Sequence, residues 1–377
     1  MTTPYGVRAE SGKISPMSLK VGIVGLPNVG KSTLFNALLK RQQALVANYP
    51  FATIEPNVGV VEVPDERLSV LAEIVGTSKI VYATVEFVDI AGLVAGAASG
   101  AGLGNKFLSH IREVDVIVQV LRAFEDKEIV WAREGTTPTA TQFGGQGVDP
   151  KSDYEVVTAE LILKDLETIQ KMKESKTLRE NGLEKKRELA EKLYTGLDAG
   201  RPAREVLSSG EEWKLATDLY LLTMKKEIRV LNVSEDDQRL KEYSGEEVVI
   251  SAKIEAELSE LPEAEAKAYL SELGIKESGL DKLIRKAYET LGKISFLTAG
   301  ELEARAWTIE SGMKAPEAAG VIHTDFTKKF IKAKVCTYGD FVAQNGWKGA
   351  SEAGKVRVEG REYVMRDGDV VEFMIGS

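Results

Sequence analysis

The residues whose types and spacing could bind phosphate lie in the segment GLPNVGKS, residues 25–32. This spacing matches G-x-x-x-x-G-K-[ST], in which backbone N–H groups surround a phosphate, the lysine reaches the β- and γ-phosphates, and the hydroxyl ligates Mg²⁺. A strand-like apolar run at residues 19–25 precedes the motif and a helix-forming stretch at 33–39 follows it, which makes an ordinary glycine-rich turn the weaker alternative. The predicted nucleotide contacts are Asn28, Val29, Gly30, Lys31, Ser32 and Thr33, and Lys31 is also a predicted catalytic residue.

A second motif could hold the metal ion of such a site. Asp89 ends a strand-like run at residues 81–89 and begins DIAG, which matches D-x-x-G; its carboxylate would bind Mg²⁺ through water. The loop NYPFATIEPNVG, residues 48–59, offers Thr53 as a second hydroxyl, with a turn hydroxyl as an equal alternative. Leu93 stands where a water-positioning glutamine often sits, and because leucine cannot hydrogen-bond a water, we predict that it packs. The predicted metal ligands are Ser32, Thr53 and Asp89.

The segment that would read the base is unusual. Guanine is usually read by N-K-x-D at a strand end, whereas this sequence has NVSE, residues 232–235, without the lysine and with a longer acid. This departure puts a guanine-specific contact in question. SAK, residues 251–253, follows the next strand and matches the loop that flanks the base. A helix N-cap at Asn232 or Ser234 is the alternative for NVSE taken alone. The predicted base contacts are Asn232, Val233, Glu235, Ser251 and Ala252.

These motifs need strands and helices that bring them together. Strand-like runs at 81–89 and 114–121 alternate with helical segments, as in a doubly wound α/β sheet. After a polar linker at 133–152, apolar residues at helical spacing predict an α-helical hairpin whose first helix starts at Asp153. Its second helix carries Leu189, Leu193 and Leu197 on one stripe.

The pattern changes again in the C-terminal half. A helix at 213–224 and strands at 227–231 and 248–250 resume the α/β domain. From about residue 294 the strand-like pieces are short and separated by turns, which predicts a small α+β domain. These pieces lie at residues 306–309, 330–337, 355–358 and 370–374.

Length and composition limit what the protein can be. Its 377 residues suffice for two or three domains, and its single cysteine excludes an internal disulfide, which fits a reducing cytosol. The sequence contains no run of about eighteen apolar residues, the length that a membrane-spanning helix needs. The net charge of −9 argues against non-specific coating of nucleic acid. We expect a cytoplasmic protein with no membrane partner, no sequence-specific DNA partner and a disordered leader at residues 1–18.

Together the motifs resemble one family, the Obg-like ATPases, also called YchF, a branch of the translation-factor class of P-loop GTPases. The resemblance rests on GLPNVGKST, NYPFATIEPNVG, DIAGLVAGAASGAGLGN, FLSHIREVD, NVSE and SAK. A C-terminal stretch, residues 298–333, resembles the TGS domain, a ubiquitin-like β-grasp module. Residues 133–147 depart from the family pattern, and the leader has no counterpart in it.

The resemblance implies a P-loop NTPase (G-domain) fold of the α/β class with an inserted α-helical hairpin and a C-terminal α+β TGS domain. We predict a leader at 1–18, a nucleotide-binding domain at 19–140 and 207–290, the hairpin at 141–206, and the TGS domain at 294–377.

The implied function is a slow regulatory ATPase that binds ATP with Mg²⁺ and associates with the ribosome or its factors as a monomer. In this family NVSE favours adenine, and Asn28 matches an asparagine of potassium-stimulated members, so K⁺ is a second candidate ion. His110, in FLSH, matches the family's proposed water-positioning residue and is the second predicted catalytic residue. By itself, a histidine on a helix is commonplace. An Obg-type GTPase and a non-catalytic, nucleotide-dependent scaffold remain alternatives.

Overall fold

The structure is a computed structural model that describes residues 20–46, 57–90, 110–125, 148–175 and 183–376. Several predicted features lie outside these residues. They are the leader at 1–18, Thr53, Leu93 and the connection at 133–147.

The strands form two six-stranded sheets, ordered β2-β4-β1-β5-β6-β7 and β11-β10-β12-β8-β9-β3 in the described part of the chain. The strands are β1 Lys20–Val24, β2 Val58–Glu62, β3 Ile80–Val81, β4 Thr84–Asp89, β5 Val116–Arg122, β6 Lys226–Asn232, β7 Val248–Ile250, β8 Lys293–Ala299, β9 Ala304–Glu310, β10 Phe330–Thr337, β11 Arg357–Glu359 and β12 Asp369–Ile375. In the first sheet β2 runs antiparallel to β4 and the other neighbours are parallel. Its central strand β5 is buried throughout, as the apolar run predicted.

Helices cover both sheets. They are α1 Lys31–Val46, α2 Arg67–Val75, α3 Pro150–Glu174, α4 Glu184–Asp198, α5 Ala203–Val206, α6 Gly210–Ala216, α7 Ala252–Leu258, α8 Glu263–Glu272, α9 Gly279–Thr290, α10 Ala315–Ile322, α11 Thr324–Lys329, α12 Tyr338–Ala343 and α13 Trp347–Glu352. A short helical turn also occupies residues 110–113. In the described part of the chain, no helix combines the length and apolar character that a bilayer crossing requires.

The inserted hairpin is present as α3 and α4. The first helix begins at Pro150, earlier than the predicted Asp153, because Asp149 caps it by accepting hydrogen bonds from the backbone N–H groups of Lys151 and Ser152. Apolar side chains of both helices form a separate core that includes Ile169, Leu189, Leu193 and Leu197. The hairpin therefore has its own packing, distinct from the main core of the α/β domain.

Two predicted elements were wrong in detail. The predicted strand at 81–89 is two strands, and β3 and β4 belong to different sheets: β4 pairs with β1, whereas β3 pairs with β9. Both are short apolar runs, so the sequence pattern does not show where the chain leaves one sheet for the other.

The predicted helix at 213–224 is interrupted after α6 by 3₁₀ turns at Thr217–Leu219 and Leu222–Met224. The buried Asp165 carboxylate accepts the N–H groups that begin the second of these turns, a long-range contact that overrides local helix propensity.

The C-terminal α+β unit is joined to the α/β domain by a shared core. One apolar cluster runs from Ile23 of β1 and Leu71 of α2 to Leu297, Phe341 and Val370 of the C-terminal unit. α2 packs on β8, β9 and α12, although its sequence position falls in the predicted nucleotide-binding domain. The predicted α/β class with a hairpin and an α+β unit is thus observed, with α2 and β3 lying against the second sheet.

Candidate functional site

The phosphate loop joins β1 to α1 at the carboxyl end of the first sheet. Asn28 and Gly30 both have left-handed backbone conformations, with φ values of 61° and 95°. A Cβ atom at Gly30 would lie 2.2 Å from Nδ2 of Asn232, so only glycine fits there. Ser32 and Thr33, in the first turn of α1, have exposed side chains. The loop is therefore a tight backbone cradle at a helix N-terminus, the geometry that binds phosphate.

Lys31 lies folded against this loop. Its side chain is 8% exposed, and Nζ donates a hydrogen bond to the backbone oxygen of Leu26 at 2.5 Å. Burial lowers the pKa of the Lys31 ammonium to about 8, and the charge of the Asp89 carboxylate opposes that shift. Burial in turn raises the pKa of Asp89, opposed by Lys31. The two groups come from neighbouring strand ends, since Ile23 of β1 is in register with Asp89 of β4.

The donor atoms at this edge fit a hard divalent cation. Ser32 offers an exposed hydroxyl and Asp89 a half-buried carboxylate, the oxygen ligands that Mg²⁺ prefers. Asn28 adds an exposed amide on the loop, an oxygen donor suited to K⁺. The third predicted ligand, Thr53, lies outside the described residues.

Asn232 joins the phosphate loop to the two predicted base segments. Its Nδ2 donates to the backbone oxygen of Val29 at 2.9 Å, and its Oδ1 accepts the N–H of Ala252 at 2.9 Å. The side chain is 5% exposed, so both hydrogen bonds are shielded from water. The capping alternative for Asn232 or Ser234 is wrong, because no helix starts at residue 233 or 235; the next turn, at Gln238–Leu240, is capped by Asp237. Ser251 caps α7 by accepting the N–H of Ile254. The structure thus brings Val29, Asn232, Val233, Ser251 and Ala252 together.

Glu235, the acid of NVSE, is engaged in an ion pair with Lys253 of the SAK segment. Lys253 Nζ lies 2.8 Å from one carboxylate oxygen and 2.9 Å from the other. Both side chains are largely exposed. Sequence reasoning noted both motifs but missed this pairing, because nothing local to either segment specifies it. The carboxylate that would read guanine is consequently held by a lysine of the neighbouring loop.

His110 begins the described helical turn at residues 110–113 and is exposed. The next residue, Ile111, is fully buried in an apolar cluster with Val24 at the end of β1 and Ile90 just after Asp89. The histidine turn (residues 110–113) therefore packs beneath the same sheet edge as the phosphate loop. Leu93, predicted to pack, lies outside the described residues.

Two bacterial proteins and one solved structure are similar to this chain over nearly its whole length. The sequence is 49% identical over 379 residues to a Bacillus subtilis protein named ribosome-binding ATPase YchF, covering 95% of this chain and 99% of that relative. A Haemophilus influenzae protein of the same name is 46% identical, with coverage of 95% and 99%. A solved Schizosaccharomyces pombe structure, described as a YchF GTPase, matches with a TM-score of 0.81 and 38% identity over 95% of this chain and 98% of that chain.

Two family models match separate parts of the chain. Residues 20–146 match the family described as "50S ribosome-binding GTPase". Residues 293–376 match the YchF-GTPase_C family, described as a protein of unknown function. The two matches cover the phosphate-loop region and the C-terminal unit.

Proposed function

The chain belongs to the YchF family, and from this premise we propose that it is a switch protein that binds ATP, hydrolyses it slowly to ADP and phosphate, and associates with the ribosome. The bacterial relatives are named ribosome-binding ATPases, whereas the Schizosaccharomyces pombe relative is described as a GTPase. We propose ATP as the nucleotide, a cytoplasmic location and a monomeric state.

The observation that carries the choice of ATP is the ion pair between Glu235 and Lys253. A guanine reader needs a carboxylate free to accept hydrogen bonds from the ring N1–H and the exocyclic N2 amino group of the base. Here the carboxylate accepts from Lys253, and the NVSE segment lacks the lysine of N-K-x-D. Adenine presents no such pair of donors and does not require that carboxylate.

Each proposed site residue has a chemical task. The Lys31 ammonium neutralises charge on the β- and γ-phosphates, and the backbone N–H groups of residues 28–33 orient them. Ser32 and Asp89 would hold Mg²⁺, with Thr53 as the proposed third ligand, and the ion supplies further charge neutralisation when bound. His110 orients the attacking water, and Asn28 is the proposed K⁺ contact. Leu93 is assigned no part in water positioning.

The nucleotide assignment is tested by measuring ATP and GTP affinities side by side. We expect ATP to bind at least about tenfold more tightly, which corresponds to ~1.4 kcal/mol. Lys253→Met should raise the affinity for GTP severalfold, because it frees the Glu235 carboxylate. Lys267→Met is the matched control, since it breaks an exposed Lys–Glu pair (with Glu263) away from the nucleotide segments. Tighter binding of GTP by the unaltered protein would establish the Obg-type GTPase instead.

The role of His110 is tested by single-turnover hydrolysis with Mg²⁺, with and without K⁺ and ribosomes. His110→Ala should slow hydrolysis by about tenfold or more while ATP affinity is retained, because the side chain acts on the water and not on the nucleotide. His323→Ala is the control, since His323 caps α11 in the C-terminal unit through Nδ1, which accepts the N–H of Asp325. No hydrolysis by the unaltered protein under any condition would favour the scaffold alternative.

A further inference from the structure

We propose that Lys225 is a positioning residue for His110, and that the inserted hairpin, acting through Asp165, controls how the histidine turn lies against the phosphate loop. This inference rests on the proposed catalytic role of His110.

Lys225 holds the end of the histidine turn. Its Nζ donates to the backbone oxygen of Arg112 at 3.0 Å and to that of Val114 at 2.5 Å. The carbonyl groups at the end of a helical turn have no partner within it, and a cation there is favourable. Lys225 lies 111 residues from Val114 in sequence, so this contact depends on the tertiary fold.

The backbone just before Lys225 is hydrogen-bonded to the first helix of the hairpin. Lys225 follows the 3₁₀ turn Leu222–Met224, whose first N–H groups donate to Asp165 of α3: Leu222 to Oδ1 and Thr223 to Oδ2, both at 2.8 Å. The Thr223 hydroxyl donates to the same Oδ2 at 2.6 Å. Asp165 is 1% exposed and Thr223 fully buried, so these hydrogen bonds are shielded from water and costly to break.

Thr223 also binds the segment that leaves the hairpin. Its Oγ1 accepts the backbone N–H of Ala203 in α5 at 2.8 Å. The 3₁₀ turn is therefore fixed both to α3 and to the chain that follows α4. Movement of the hairpin must carry this turn, and Lys225 with it, unless buried hydrogen bonds break.

Apolar side chains connect the same three segments: the histidine turn, the 3₁₀ turn and α3. Ile111 of the histidine turn and Val114 just after it lie in one cluster with Leu222 and with Val157 and Leu161 of α3. That cluster also contains Val24 and Ile90, the residues that lead into the phosphate loop and follow Asp89. The first part of α3, residues 111–114 and the ends of β1 and β4 thus share one apolar cluster.

The charges around Lys225 support the same arrangement. Burial lowers the pKa of the Lys225 ammonium, and the Asp115 and Asp165 carboxylates oppose that shift. Burial raises the pKa of Asp165, opposed first by its hydrogen bonds from Thr223 and Leu222 and then by the charge of Arg112. The Lys225 side chain therefore lies partly buried between α3 and the histidine turn, near carboxylates of both neighbouring segments. A partner that shifts α3 would change the position of His110 and hence the rate of hydrolysis.

The test is single-turnover ATP hydrolysis by the full chain. Lys225→Met should slow the chemical step severalfold, and by no more than His110→Ala does, with unchanged ATP affinity, because a misplaced catalytic group loses rate rather than binding. Lys225→Arg, which keeps the donors, should retain most of the rate. Lys226→Met is the matched control, because this neighbouring lysine donates to the backbone oxygen of Thr290 at the end of α9, at 2.7 Å. The rate of hydrolysis by that variant should be unchanged.

A double-mutant cycle separates positioning from general damage. In a His110→Ala background, Lys225→Met should cause no further loss, because both substitutions remove the same function. An equal loss in both backgrounds, or an unchanged rate in Lys225→Met, would overturn the inference while leaving the ATPase assignment intact. Absence of hydrolysis in the unaltered protein would instead overturn the proposed function. If Lys225→Met does not fold, Lys225→Gln replaces it; because this side chain is shorter and uncharged but keeps N–H donors, we expect an intermediate loss.

Discussion

At the scale of single residues, the candidate site depends on side chains that form hydrogen bonds with the backbone of another segment. Asn232 is the clearest case: one amide group satisfies the phosphate loop and the SAK loop together. Replacing it would leave a buried carbonyl and a buried N–H without partners, which costs more than the hydrogen bonds themselves contribute. The close approach of Asn232 also explains why position 30 must be glycine.

Gly30→Ala should weaken ATP binding by about tenfold or more, because a left-handed backbone and a steric clash with Asn232 together cost ~1–3 kcal/mol. ATP titration measures this loss. Gly76→Ala is the matched control, since Gly76 also has a positive φ, 72°, but has no atom within 4 Å of the added Cβ. That control should lose stability without losing ATP affinity; equal affinity losses in both variants would contradict the prediction.

The buried Lys31 should make stability depend on pH in a defined window. Below about pH 8 the lysine is protonated in both folded and unfolded chains, whereas between about 8 and its ordinary value of 10.5 the unfolded chain binds more protons. The free energy of unfolding should therefore rise with pH across that window, by up to about 3 kcal/mol.

Urea unfolding at a series of pH values measures this rise, and Lys31→Met serves as the reference because it cannot titrate. The difference between the two proteins isolates Lys31 from other lysines. A difference that stays constant from pH 8 to 10.5 would show that Lys31 keeps its ordinary pKa.

At the scale of elements, the hairpin has its own core but is tied to the α/β domain at its base. Leu189, Leu193 and Leu197, which the helical spacing placed on one stripe, are all buried against α3 and the segments after α4. The tie at the base is polar, through Asp165, and apolar, through Val157 and Leu161. The apolar stripe of α4 could be predicted from the sequence, whereas the contacts that Asp165, Val157 and Leu161 make with the α/β domain could not.

Leu193→Ala should lower the free energy of unfolding by about 2–5 kcal/mol, because it leaves a cavity in the hairpin core. Leu163→Ala, on the exposed side of α3 where Leu163 is 47% exposed, should change it by no more than about 0.5 kcal/mol. Chemical denaturation followed by circular dichroism compares the two. Similar losses at both positions would mean that the hairpin is packed differently.

At the scale of the whole molecule, the α/β domain and the C-terminal unit share one apolar core, and β3 extends the second sheet from within the first domain. Arg67 of α2 reinforces the junction, since its guanidinium donates to Asp65 and, at 2.7 Å, to Asp367. Two units joined in this way should not unfold independently.

Calorimetry should therefore show one unfolding transition, and ATP with Mg²⁺ should move the whole transition to higher temperature. Phe341→Ala, in the C-terminal unit but in the shared core, should cost about 3–5 kcal/mol and lower that single transition. Two resolved transitions, with only one responding to ATP, would show that the shared core does not couple the units.

The sequence by itself predicted the phosphate-loop motif, Asp89 as a candidate metal ligand, the hairpin stripe and most strand positions, because these depend on residue spacing within one element. It also predicted that NVSE and SAK lie close together, since both follow strands whose carboxyl ends meet at one edge. Only the tertiary structure decided that Lys253 holds Glu235, that β3 leaves the first sheet, and that Lys225 supports the histidine turn. These contacts join segments far apart in the chain, and local propensity carries no information about which distant side chain strand register and packing will bring to a given atom.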